Sequence, residues 1–96
     1  MKKYELTSES KLCFGITLYR IKALRAFYNV QKGELGGYIE KEINLGHSGD
    51  AWVYGDAQVY GNARVYGNAR VYGNALINII VYEYPITITD KHMALG

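Results

Sequence analysis

Residues 49–78 read GDAWVY-GDAQVY-GNARVY-GNARVY-GNALIN, five six-residue units in tandem. Each unit opens on glycine (Gly49, Gly55, Gly61, Gly67, Gly73), continues with Asp or Asn, and sets alanine third (Ala51, Ala57, Ala63, Ala69, Ala75). An aliphatic residue stands fifth (Val53, Val59, Val65, Val71, Ile77), and tyrosine stands sixth in the first four units. Self-similarity at a fixed short period marks an array built by repeating one piece of backbone. A period of six does not suit an α-helix, which turns every 3.6 residues and loses about 1 kcal/mol for each interior glycine. It suits short strands. The alanine and the aliphatic residue, two apart, share one strand face. The Gly-Asp or Gly-Asn pair supplies a bend, because these residues tolerate left-handed backbone angles. Short strand, corner, short strand is the pattern of a parallel β-helix.

Read from the aliphatic residue, Val-Tyr-Gly-Asn-Ala-Arg resembles the hexapeptide repeat of left-handed parallel β-helices, where an aliphatic residue and a small residue four later fill a triangular interior. The resemblance implies three hexads per coil, so that residues about 18 apart stack. Val53 is then expected beneath Val71, Val59 beneath Ile77, Ala51 beneath Ala69 and Tyr54 beneath Tyr72. The place after the aliphatic residue, small in most such repeats, here holds Tyr54, Tyr60, Tyr66 and Tyr72. The segments KLCFGITLYRIKAL (11–24), KGELGGYIEKE (32–42) and GDAWVYGDAQVYGNARVYGNA (49–69) are similar to a bacterial and prophage family variously labelled polymer-forming cytoskeletal or hexapeptide-transferase-like proteins. That similarity covers nearly the whole chain. It implies a fold and oligomerisation, and it brings no catalytic residues.

Around the repeat the chain divides, as one domain, into a β-rich cap (1–34), a degenerate first coil (35–48), the hexapeptide β-helix (49–81) and a C-terminal strand and tail (82–96). Lys3 to Thr7 and Ile16 to Leu24 are strand candidates in the cap, with turns at Gly15 and Gly33. Carried backwards, the six-residue register puts Leu35–Glu40 in step and then sets Lys41 and His47 at aliphatic places. Ile39, Ile43 and Leu45 are the alternative suppliers of interior groups. Beyond Ile77 the register sets Glu83 at an aliphatic place, Pro85 removes a ladder donor, and Ile86 to Thr89 is a last strand candidate.

The 96 residues carry 11 Lys and Arg against 9 Asp and Glu, a formal net charge of +2. So even a balance argues against a polyanion binder driven by bulk charge. Cys13 is the single cysteine, which excludes an internal disulfide and makes the cytoplasm of a bacterial host the expected location. No apolar run approaches the roughly 20 residues that span a bilayer, and MKKYELTSES lacks the apolar stretch of a signal peptide.

The outward tyrosines Tyr54, Tyr60, Tyr66 and Tyr72, followed by Tyr82 and Tyr84, form the first candidate site, a self-association or partner surface. The alternative is a ladder of rings that merely stiffens the coil. Arg64 and Arg70, one hexad apart, emerge on neighbouring faces. They read as solubilising charge or, less favoured, as a site for an anion or nucleotide with tyrosine stacking on a base. His47 and His92 are checked as bases of an acyltransferase, but no acid lies at a spacing that orients either, and both read as structural or exposed. Cys13 reads as a small apolar group of the cap, and Gly36-Gly37 as a tight turn. No cofactor and no metal site are expected. The expected function is a non-enzymatic, oligomeric β-helix of prophage type that binds a protein partner or its own copies without a membrane. Stoichiometric inhibition of a host defence complex is its specific form. A hexapeptide-class acyltransferase, a nucleotide-sequestering sponge and a structural self-assembling protein are the alternatives.

Overall fold

The computed structural model describes residues 2–73 and 75–77, together with the backbone of 80–81 and 87–88. Tyr82, Glu83, Tyr84, Pro85, His92 and the end at Gly96 lie outside the described residues. The five glycines of the repeat all have positive φ, from 59° to 73°, and each turns the chain through a corner that a side chain would strain. Between corners lie two-residue strands: β4 (Trp52–Val53), β5 (Gln58–Val59), β6 (Arg64–Val65), β7 (Arg70–Val71) and β8 (Leu76–Ile77). Ahead of them stand β1 (Tyr4–Cys13), β2 (Ile16–Ala23) and β3 (Leu35–Ile39); after them come β9 (Ile80–Val81) and β10 (Thr87–Ile88).

The strands stack in parallel as three faces of a β-solenoid. One face is β3-β5-β8, the second β4-β7-β10, and the third runs from Leu45 through β6 to β9. Val53 pairs with Val71 and Val59 with Ile77, as the repeat predicts, and the rings of Tyr54 and Tyr72 stack with centroids 4.2 Å apart. The interior of the repeat is apolar: all five alanines and all five aliphatic residues are fully buried. At roughly 1.5–3 kcal/mol per buried aliphatic side chain, this column is the main stabilising feature of the coil.

Spacing between stacked partners is not constant. It is 20 residues from Ile39 to Val59, 18 from Val53 to Val71, and 16 from Val65 to Val81. Three expectations are corrected accordingly. Leu35, in step by strict count, is half exposed at 51%, while Ile39 takes the interior slot. Of the alternative suppliers, Ile39 and Leu45 are buried but Ile43 is 50% exposed, because residues 42–44 form a 3₁₀ turn that points Asn44 inward instead. The place that a strict period of six assigns to Glu83, opposite Val65, is taken in backbone register by Val81.

Gly36-Gly37 is also corrected, from turn to strand. A Cβ on Gly36 would lie 2.6 Å from the Val53 carbonyl oxygen, and one on Gly37 would lie 2.6 Å from that of Ala57 and from Val53 Cγ1. The glycines let β3 lie close against the next coil. Asn44 locks that coil down. Its Oδ1 accepts the Glu40 and Lys41 amides, and its Nδ2 donates to the carbonyls of Gly61 (3.2 Å) and Ala63 (2.8 Å).

The cap continues the first face. β1 and β2 form a hairpin, and β2 lies antiparallel to β3, covering the edge at which the parallel stack begins. The cap also covers β4 from outside, where the fully buried Trp52 meets Phe27 edge-on at 5.2 Å and Tyr4 at 6.3 Å.

Candidate functional site

Leu45 and Val53 are eight residues apart where the regular hexads have six, so the corner after Leu45 is two residues longer. That corner carries His47, and the cap grips it there. The Lys3 amide donates to His47 Nδ1 at 3.0 Å, and His47 Nε2 lies 3.2 Å from Glu42 Oε1. A backbone donor on Nδ1 fixes the proton on Nε2, so both ring nitrogens are engaged. An acid therefore does face this histidine, contrary to the sequence reading; Glu42 comes from the 3₁₀ turn, whose conformation no spacing rule foretells. The ring stacks on Tyr4 at 4.2 Å, and the Tyr4 hydroxyl donates to the Leu45 carbonyl at 2.6 Å. Burial, and then the Glu42 charge, push the Tyr4 hydroxyl above its ordinary range. Hydrogen bonds from Lys2 (2.7 Å) and His47 hold Glu42 below the ordinary carboxylate range.

Lys3 is fully buried, and its Nζ donates to the Ala51 carbonyl at 2.6 Å and sits over the Phe27 ring at 4.8 Å. Burial first and the Arg25 charge second lower its pKa to about 8, with Asp50 opposing them. On the first face Arg20 plays the corresponding part. Its guanidinium donates to Gly36 O (2.6 Å), to the Tyr38 hydroxyl (2.7 Å) and to Glu9 Oε2 (3.0 Å), and it lies over the Tyr38 ring. None of Lys3, Tyr4, Arg20 and Trp52 stands out in the sequence as a partner of the coil. The one available signal is Trp52, an aromatic at the place where the other units carry Gln, Arg, Arg and Leu.

The tyrosine column divides. Tyr54 is half-buried, donates to Asn29 Oδ1 at 2.8 Å and stacks on Tyr72; burial raises its pKa. Tyr60 is half-buried beside Phe14, with ring centroids 6.0 Å apart, and packs against the small cluster of Cys13, Leu18 and Tyr38. Tyr66 is the most exposed of the four at 37%. Arg64 and Arg70 do lie on neighbouring faces, in β6 and β7. Arg70 sets its guanidinium carbon over the Tyr28 ring, 3.8 Å from the centroid, whereas no carboxylate among the described residues pairs with the exposed Arg64. Cys13 is buried in the cap, and burial raises its thiol pKa. Among the described residues, no group of three or more His, Cys, Asp or Glu side chains is placed to hold a metal ion, and no helix is long and apolar enough to cross a membrane.

Two surface features remain. At the hairpin tip Leu12 is 71% and Phe14 75% exposed. Phe14 has φ +52° and Gly15 +79°, a pair of left-handed residues of the kind that type I′ turns fill with Asn-Gly. At the long corner a hollow of about 590 Å³ opens, walled by Glu42 and Ile43 of the 3₁₀ turn, His47 and Ser48 of the corner, and Arg64 and Tyr66 of the next coil.

Residues 57–71, two and a half hexads, match a family described as the YdcK beta solenoid repeat. No curated protein matches the chain. Matched repeat and stacked faces agree, and the fold of this chain is an all-β solenoid with a β-hairpin cap.

Proposed function

We propose that this solenoid is a non-enzymatic binding module that assembles with its own copies through the hairpin tip and offers the assembly to a protein partner. The observation that carries this reading is Phe14, an aromatic ring three-quarters exposed on a left-handed backbone. A bulky residue in that conformation costs on the order of 1 kcal/mol, and stability alone would favour asparagine there. Leu12, two residues earlier and also outward, extends the apolar surface along β1, the edge strand of the five-stranded sheet. An edge strand with outward apolar residues is a template for pairing, and a second copy meets it across a two-fold axis with the same patch. The engagement of both His47 nitrogens supports a structural part for that residue over an acyltransferase base. Left-handed winding and stoichiometric inhibition of a host defence complex are the finer form of the proposal, and both rest on the resemblance to prophage hexapeptide proteins.

Sedimentation of the wild type and of the Leu12→Ser/Phe14→Asn variant across a micromolar series tests the assembly. The wild type is expected to associate, and the variant to need at least about tenfold more protein, one factor of ten being 1.4 kcal/mol. Asn accepts the left-handed turn, so thermal melting should show the Phe14→Asn variant at least as stable as the wild type. A wild type that stays monomeric refutes the assembly.

A further inference from the structure

We infer that the hollow at the long corner is a binding site for a mononucleotide, with Arg64 on the phosphate and Tyr66 against the base. Its volume of about 590 Å³ falls within the range of small-molecule sites. It lies at the long corner, where eight residues rather than six separate Leu45 from Val53, and His47 and Ser48 of that corner form part of its wall. The regular corners of the repeat have no such slack.

The chemistry of the walls selects the ligand. Arg64 contributes a guanidinium that no described carboxylate neutralises, and guanidinium is the side chain best matched to the paired oxygens of phosphate. Glu42, the acid on the wall, is already held by Lys2 at 2.7 Å and faces His47 Nε2 at 3.2 Å. Lys2 thus neutralises Glu42 from outside the hollow, and the Arg64 guanidinium is left as the charge on the wall without an ion-pair partner among the described residues. Tyr66 and the half-exposed Ile43 supply apolar surface on which a planar base can lie, and stacking of a base on an aromatic ring contributes about 1–3 kcal/mol. The Ser48 hydroxyl adds a donor and acceptor to the wall. An inorganic anion would leave the apolar wall unused, and an uncharged nucleoside would leave Arg64 unused. A mononucleotide uses both.

Titration of 5′-AMP, adenosine and inorganic phosphate into the full chain, followed by amide chemical shifts, tests the assignment. The expected result is saturable binding of 5′-AMP below millimolar, with shifts at Gly46 to Gly49 and Tyr66, and with adenosine and phosphate each about tenfold weaker or more. Arg64→Gln should weaken 5′-AMP about tenfold and leave adenosine unchanged. Arg70→Gln, outside the hollow, should leave both unchanged. Arg64 is exposed, so its replacement leaves the core intact. Failure of 5′-AMP to bind at millimolar concentration overturns the proposal. So does equal binding by the Arg64→Gln protein, or phosphate binding as tightly as 5′-AMP.

Discussion

In the second coil Ala57 and Val59 fill the interior of the first face; one coil earlier the same places hold Gly37 and Ile39. On the third face Val65 stacks on Leu45, but where Ala63 turns inward the first coil turns Ile43 out and buries Asn44. The regular coil obtains its corners from glycines at positive φ. The first obtains one corner from a 3₁₀ turn, held by an asparagine whose amide and carbonyl are both satisfied by backbone. What the two coils share is the aliphatic column, and what differs is how the chain gets from one aliphatic residue to the next. The interior constrains the sequence tightly, and the corners constrain it loosely.

Both coils depend most on the shared aliphatic column. Val65→Asp places a carboxylate in the buried apolar interior, at a cost of several kcal/mol. Because Val65 bridges to Leu45 of the first coil and to Val81 of the last, circular dichroism should report loss of the whole fold, with the cap included. A folded Val65→Asp protein would remove Val65 from the interior.

The junction of the two regions should respond to pH through Lys3. Below pH 8 Lys3 is charged in folded and unfolded chains alike. Between pH 8 and its ordinary 10.5 the unfolded chain holds the proton and the folded chain does not, so stability rises with pH in that window. The shift from 10.5 to about 8 corresponds to about 3 kcal/mol at most. Tyr4 and Tyr54 act oppositely, since their raised pKa values make the unfolded chain release protons first above about pH 10. Urea unfolding across pH 7 to 11 should therefore show a maximum near pH 10, and Lys3→Met should flatten the rise below it. A wild-type profile that is flat from pH 8 to 10 would contradict the burial of the ammonium group.

Equivalent slots in the two coils should differ by a smaller amount. Gly37→Ala drives a methyl group to 2.6 Å from the Ala57 carbonyl and should destabilise by about 1–3 kcal/mol through overpacking. Ala57→Gly, the reverse change in the next coil, should cost only about 1 kcal/mol. Thermal melts of the two variants compare them directly.

The solenoid was legible from Gly49 to Ile77, because there each residue type recurs at the place whose physics demands it, and the stacked pairs follow from the count. The first coil was half legible. Ile39 and Leu45 could be named as interior candidates, but a strict period of six has no way to hold a two-residue surplus at one corner or a deficit at another. Gly36 and Gly37 misled for a related reason: glycine marks a turn by its backbone freedom and a close approach by its missing Cβ, and only the neighbouring coil says which applies. Of the site, Arg64 and Tyr66 were named from the repeat alone. Glu42, Ile43 and Ser48 were not, since they join the hollow through a corner that follows no pattern. The grip of Lys3, Tyr4 and Arg20 on the coil spans 16 to 48 residues of sequence and leaves no periodic trace.

The spacing of 16 to 20 residues between stacked strands bears on how the chain reaches this form as it leaves the ribosome. The hairpin and β3 are complete within the first 39 residues and present a finished edge. Each later strand meets its template about one coil after that template is made, so loop closure costs nearly the same small entropy at every step. Assembly can run in the order of translation, each new coil laid on the last and none waiting for a distant partner.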